Sequence, residues 1–361
     1  MPASPELPVS RRLHAIEVAR GGASLAVLLF HSLTSLPPEA VHPFLRLVRS
    51  VTEFGWLGVN VFFAVSGWCI AERLATARRR EESVLHFLRE RALRIYPAYW
   101  AALALLFAVR LAAVPFNTTR LADNLPAGAL AWLGDLFLLQ PYFGTVPALV
   151  VSWSLVYELG FYALGAGALA LRARGVPSSI LVVLAALLAL PAALGWRSPT
   201  VLTVLGLWPD FLFGVLAWCA ARPGATASAR LAAGALGAFA LAALTLGGGF
   251  GGPGRLVALG TAGVLWFAAS HDHLAARVTA VRVFAWLGTV SYSLYLAHVT
   301  LLSPLLNVSQ RVVPPRTVAF VGVWLVAVSL ALIAGWLLHR WVEAPVERWR
   351  KQRWHHRPAV A

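Results

Sequence analysis

The chain has 361 residues, 59% of them hydrophobic and 12% charged, with a mean hydropathy of +0.72. That excludes an ordinary soluble domain, and the gaps between its apolar runs are too short for a separate folded unit. The net charge of +15 would suggest nucleic acid in a soluble protein, but the basic residues fall mostly in short connections between apolar runs. This is the pattern of loops facing anionic lipid and cytoplasm, so the expected partner is the lipid bilayer and not nucleic acid.

The expected fold is all-α, a polytopic membrane helix bundle of about ten transmembrane helices. The apolar runs place crossings at 13–34, 54–74, 93–114, 150–171, 178–195, 201–220, 231–247, 255–270, 283–305 and 317–341. The first holds "IEVARGGASLAVLLFHS", in which Arg20 and His31 are eleven positions apart. On a helix they share one face, with roughly 16 Å of rise between them. Each has a plain reading, Arg20 snorkelling to the interface and His31 bonding a backbone carbonyl, but the shared facing points to function.

The second crossing, "FGWLGVNVFFAVSGW", sets Gly55, Gly58 and Gly67 among aromatics, which suits close helix packing, with Ser66 as a hydrogen-bonder inside the membrane. Arg91 and Arg94 follow at i,i+3 at the start of the third, where they either hold a phosphate group or flank the membrane as other basic residues do. Pro97 is expected to kink that helix. The stretch 125–144 is apolar but interrupted by Gly134, Asp135 and Pro141. Counting it as an eleventh crossing would put most later basic loops outside, which favours a re-entrant or interfacial element.

Glu158, in "SWSLVYELGFYAL", is an acid among apolar neighbours and is expected to be neutral or paired with an arginine or histidine of another helix. In "SYSLYLAH", Ser291, Tyr295 and His298 form one polar stripe, read as a hydrogen-bonded packing seam. Cys69 and Cys219 sit within apolar runs as small core residues. No metal-ligand spacing, Gly-rich phosphate loop or nucleophile elbow is present, so no metal is expected.

With ten crossings and a cytoplasmic N-terminus, the inner side receives Arg11 and Arg12, the "ARRREE" loop and the tail "ERWRKQRWHHR", so both termini face the cytoplasm. The N-terminus lacks a signal-peptide cleavage pattern, and the first helix is expected to be retained. The organisation is then a cytoplasmic segment 1–12, a membrane domain 13–345 and a basic cytoplasmic tail 346–361.

Taken in order, Arg20-x10-His31, "GVNVFFAVSG", Arg91-x2-Arg94 followed by "IYPAYW", "SWSLVYELGFY", "SYSLYLAH" and "VEAPVER" resemble the acyltransferase-3 family of membrane O-acyltransferases, over about residues 12–347. The resemblance implies a ten-helix domain of the bacterial inner membrane that moves an acyl group, usually acetyl from acetyl-CoA, onto a glycan or glycoside acceptor. It implies His31 as the catalytic histidine, Arg20 as the essential arginine of the same helix, Arg91 and Arg94 as the basic donor-side pair, and Glu158 as the acid of the tryptophan-serine motif. One departure is Glu17-Val18, where members often show Asp-Gly.

On this reading Arg91 and Arg94 hold the CoA phosphates, and Arg20 binds the donor further in. His31 is general base on an acceptor hydroxyl, or else carries the acyl group covalently. Glu158 orients the imidazole or pairs with an arginine. A transporter or flippase of a lipid-linked sugar is the alternative, with the same charges forming its path.

Overall fold

A backbone in hydrocarbon must satisfy its own polar groups, and among the described residues this chain does so with helices. The computed structural model describes residues 14–34, 36, 41–114, 125–189, 205–221, 227–245, 252–275 and 279–355. Segment 1–12, with Arg11 and Arg12, and the last residues of the tail lie outside the described residues. Among the described residues the longer elements are α1 (His14–Thr34), α2 (Pro43–Thr52), α3 (Gly58–Arg79), α4 (Val84–Ala113), α5 (Ala129–Phe137), α6 (Gln140–Phe143) and α7 (Trp153–Ala173). They continue as α8 (Ser178–Leu187), α9 (Trp208–Ala220), α10 (Ala227–Thr245), α11 (Pro253–Ala275), α12 (Thr279–Ser309), α13 (Val318–Leu338) and α14 (Ala344–His355).

Six described segments are long and apolar enough to cross a membrane: His14–Thr34, Pro43–Arg79, Val84–Ala113, Val150–Ala173, Arg282–Ser309 and Val318–Arg353. The other four expected crossings fall on the shorter apolar helices Ser178–Leu187, Leu205–Ala220, Ala229–Phe239 and Pro253–Ala269. Ten residues of helix, as in α8, rise about 15 Å, half of a hydrocarbon core of about 30 Å. Six segments among the described residues are thus long enough by themselves, and the shorter apolar helices lie at the positions of the four other expected crossings.

Helix boundaries follow local chemistry. Ser83 accepts the His86 amide at 3.1 Å and starts α4, while Thr317 accepts the Phe320 amide at 3.3 Å and starts α13. Pro43 opens α2, whose Leu45 is buried while Phe44, Leu47 and Val51 stay exposed. This short amphipathic helix opens the segment Pro43–Arg79, ahead of α3, and has the character of an interfacial element. Pro97 sits inside α4, which runs on through it for 30 residues.

Two glycine pairs set the closest approaches. A Cβ on Gly21 would lie 1.9 Å from the Phe284 carbonyl oxygen, and one on Gly288 would lie 2.0 Å from the Glu17 carbonyl oxygen. The backbones of α1 and α12 thus touch directly. The same relation joins α3 to α9, where Gly67 meets the Phe211 carbonyl and Gly214 the Ala64 carbonyl. With α12 against α1, Trp324 of α13 donates its indole N–H to Ser32 at 3.0 Å.

The stretch 125–144 does not cross as one helix. It forms α5 and α6, broken at Leu138, whose φ of 58° is left-handed. The last carbonyls of α5 need donors, and the "IYPAYW" segment of α4 supplies them. Tyr99 donates to the Asp135 carbonyl at 2.5 Å, Trp100 to Leu136 at 2.9 Å and Tyr96 to Phe137 at 3.2 Å. The Asp135 carboxylate, fully buried, accepts from Gln140 and from the Ala148 amide, both at 3.0 Å. This conserves hydrogen bonding in a broken helical element that bonds to α4.

Gly288→Ala should lower stability in detergent by about 1–3 kcal/mol, since the added methyl meets backbone. Gly22→Ala, where nothing lies within 4 Å, should be neutral; thermal unfolding of the two purified variants checks the contrast. Tyr99→Phe should leave the Asp135 carbonyl unsatisfied at a cost of about 1–3 kcal/mol. Hydrogen exchange of 125–144 should then rise relative to that of α1.

Candidate active site

A cavity of about 820 Å³, counting the space at its open mouth, lies between α1, α3, α4, α7 and α12. Its walls are largely apolar, from Val59, Phe62, Phe63 and Ile70 of α3 and Leu155 of α7. Into it the bundle sends Arg20 from α1, Arg91 and Arg94 from α4, and Glu158 and Tyr162 from α7. Four of the five residues singled out in the sequence therefore meet around one space. His31 is not among its lining residues.

The local sequence explains the convergence. Arg20 is held at the cavity wall because Gly21, the next residue, is pressed against α12. Arg91 and Arg94 share a face of α4 at i,i+3. Glu158 and Tyr162 share a face of α7 at i,i+4, and the Tyr162 hydroxyl donates to Glu158 Oε1 at 2.5 Å. Among the described residues Glu158 has no ion pair and does not touch His31, so the expected direct pairing and the imidazole-orienting contact are both absent.

The arginines differ in how they are held. Arg91 is buried, its guanidinium 5.9 Å from the Phe87 ring centre and 5.8 Å from that of Tyr162. Its Nη2 lies 3.4 Å from Glu90, while its buried Nε has no hydrogen-bond partner. Glu90 also pairs with Arg73 and lies 3.6 Å from Arg350 of α14, and Arg73 reaches Glu82 as well. Arg20 and Arg94, by contrast, form no hydrogen bond or ion pair within 4 Å among the described residues. Arg94 lies in the field of Glu343, Glu158 and Glu347 without being tied to any of them.

Two acids that sequence reading passed over shape this end of the site. Glu90 gathers three arginines from three helices. Glu343, from "VEAPVER", ends a π-helical turn at His339–Glu343 and accepts from Ser293 at 2.7 Å and from His339 at 3.0 Å. The signal was there in principle, since both are acids beside arginines, but Arg73 and Arg350 lie 17 and 260 residues from Glu90, and Ser293 lies 50 from Glu343, relations that one sequence does not show.

A packed layer closes the other end of the cavity. The Tyr295 hydroxyl donates to the Val151 carbonyl at 3.0 Å and lies 2.9 Å from the Ser154 hydroxyl. Phe62 meets the Tyr295 ring edge-on at 5.8 Å. One helical turn beyond Tyr295 is His298, fully buried, and beside it stands His31, with ring centres 5.1 Å apart. His31 Nδ1 lies 2.9 Å from the Val27 carbonyl and 3.3 Å from His298 Nε2. Among the described residues His31 Nε2 has no hydrogen-bond partner. Cys69 lines the cavity, neither Cys69 nor Cys219 forms a disulfide among the described residues, and no group of three metal-ligating side chains occurs among them.

Chemically, the arrangement offers a cationic cavity with two unpaired guanidiniums and, past an aromatic layer, an imidazole with one free nitrogen. The first suits a polyanion and the second proton transfer. Comparison with known proteins points the same way. A family model described as an acyltransferase domain matches residues 13–340. The "Exopolysaccharide production protein ExoZ" of Rhizobium meliloti (strain 1021) is 31% identical over 265 residues, covering 68% of this chain and 75% of that protein. No solved structure matches. The chain belongs to the acyltransferase-3 family, and it is an integral membrane acyltransferase.

Proposed function

We propose that this enzyme transfers an acetyl group from cytosolic acetyl-CoA to a hydroxyl of an exported polysaccharide. The observation that carries this reading is the convergence of Arg20, Arg91 and Arg94 on one cavity within an apolar bundle, with His31 beyond its inner end. Family membership makes the protein an acyltransferase and displaces the transporter alternative. The name of the R. meliloti relative, an exopolysaccharide production protein, supports a polysaccharide acceptor.

In this mechanism Arg94 and Arg91 bind the donor phosphates by charge-assisted hydrogen bonds, Arg91 through its orphaned Nε. Arg20 binds the donor deeper in the cavity. The rise of about 16 Å from Arg20 to His31 matches the span an extended pantetheine arm must bridge. The Tyr295 and Phe62 side chains lie between the two and have to part for the arm to pass. The acceptor approaches from the His31 side. His31 Nε2 takes the hydroxyl proton, the oxygen attacks the thioester carbonyl, and the imidazolium then protonates the departing thiolate. Glu158, hydrogen-bonded to Tyr162, moderates the positive field of the three arginines.

The arginine end faces the cytoplasm on this reading, since the donor is cytosolic, and the membrane is the bacterial inner membrane with both termini inside. Accessibility of a C-terminal tag in intact and permeabilised cells tests that placement.

His31→Ala should reduce acetylation of the polysaccharide by about 10²–10⁴-fold, with the protein still inserted and folded; mass spectrometry of glycans from expressing cells reads it. Retained acetylation would sink the assignment of His31 as base. Arg94→Ala should raise KM for acetyl-CoA by about tenfold or more, in line with the loss of a charged hydrogen bond worth about 1.5–3 kcal/mol. An unchanged KM would remove Arg94 from donor binding.

A further inference from the structure

The contact between His31 and His298 fixes where the protons sit. Carbonyl oxygens only accept, so His31 Nδ1, 2.9 Å from the Val27 carbonyl, carries a hydrogen. His298 Nδ1 lies 2.8 Å from the Tyr295 carbonyl and 3.2 Å from the Leu294 carbonyl, so it too carries one. A proton on His298 Nε2 would point at the His31 N–H across 3.3 Å, two donors head-on. His298 Nε2 is therefore a lone pair, and the His31 Nδ1–H is shared between it and Val27. That leaves His31 Nε2 as the unprotonated nitrogen, free of protein partners among the described residues.

We infer that His298 is a positioning residue for the acyl-transfer reaction: its Nε2 accepts the His31 Nδ1–H, fixes the tautomer that bares Nε2, and stabilises the imidazolium formed during transfer. This inference rests on the reading of His31 as general base. The proton balance is closed. The acceptor O–H proton passes to His31 Nε2 while Nδ1–H stays in place, shared with His298 and Val27. When the tetrahedral adduct collapses, the Nε2 proton goes to the sulfur of the donor, giving the free thiol and the ester. His298 neither gains nor loses a proton.

The packing around His298 suits this task. The residue is 1% exposed and is held by two carbonyls of its own helix, so its ring has a single orientation. Tyr295, whose ring centre is 5.9 Å away, is itself pinned to Val151 and Ser154, which ties the histidine pair to the end of the donor cavity. A polar side chain this deeply buried needs a partner beyond its own backbone to repay its desolvation, and among the described residues His31 is that partner.

The test compares kcat and KM of wild type, His31→Ala, His298→Leu, His298→Asn and His298→Gln. Each is purified in nanodiscs and assayed by thiol release from acetyl-CoA, with oligosaccharides from the exopolysaccharide of the expressing cells as acceptor. Gln can place its Oε1 near the position of Nε2, whereas Asn is one methylene too short. Leu and Asn should each lower kcat by roughly 10²-fold with KM for acetyl-CoA unchanged, and Gln should recover most of the loss. Wild-type kcat in His298→Asn, or Gln no better than Asn with both folded, would overturn the inference. Full activity in His31→Ala would instead overturn the reading on which it rests, so the two failures are distinguishable. Comparing Asn with Gln keeps the test decisive even if Leu impairs folding.

Discussion

Everything at the site depends on the direct backbone contact of α1 and α12 at Gly21 and Gly288. With no side chain at either position, the helices approach until each glycine faces a carbonyl of the other. In a bilayer, where apolar burial gives helices little reason to prefer one partner to another, such close packing supplies specificity. It also sets the register. Once Gly21 is fixed against Phe284 and Gly288, the same two helices place His31 against His298, about three turns from the contact. A one-residue rotation of either helix would separate the imidazoles and withdraw Arg20 from the cavity.

The second constraint is charge. Several guanidiniums inside an apolar bundle would repel one another and lose hydration, a cost that only counter-charge can offset. The chain places its acids mainly behind the cavity. Glu90 gathers Arg73, Arg91 and Arg350, while Glu343 is held by Ser293 and His339 within the field of Arg94. Arg20 and Arg94 are left with their donors facing the open space. A polyanion entering the cavity meets groups whose desolvation cost is already met by the fold, which is preorganisation in the ordinary electrostatic sense. The helix α14 takes part through Arg350, so a residue that reads in the sequence as part of a basic tail reaches Glu90 near the start of α4.

Much of this was legible in the sequence, because burying charge in hydrocarbon is costly enough to mark its positions. Arg20, Arg91, Arg94 and Glu158 stood out for that reason, and they meet. The long apolar runs were equally plain, and the six crossings among the described residues follow them. What was not legible were relations between helices. His298 looked like part of a packing seam because its partner lies 267 residues away. The "IYPAYW" aromatics gave no hint that three of them would donate to three successive carbonyls of α5. The helix α2 was overlooked because it is short and amphipathic, with too little apolar length to register as a crossing.

The separation of the arginine cavity from the histidine pair has a chemical consequence. A thioester in an open, solvated cavity beside a general base would be exposed to water as a competing acceptor. Here the layer of Tyr295, Ser154 and Phe62 stands between the space where the phosphates would bind and the nitrogen that would activate the acceptor. On the proposed mechanism the carbonyl carbon reaches His31 only after the arm has passed that layer, and the bulky, charged part of the donor stays behind with the arginines. One end of the substrate thus supplies binding energy while the other is held for reaction, so remote contacts can position the thioester without themselves taking part in the chemistry.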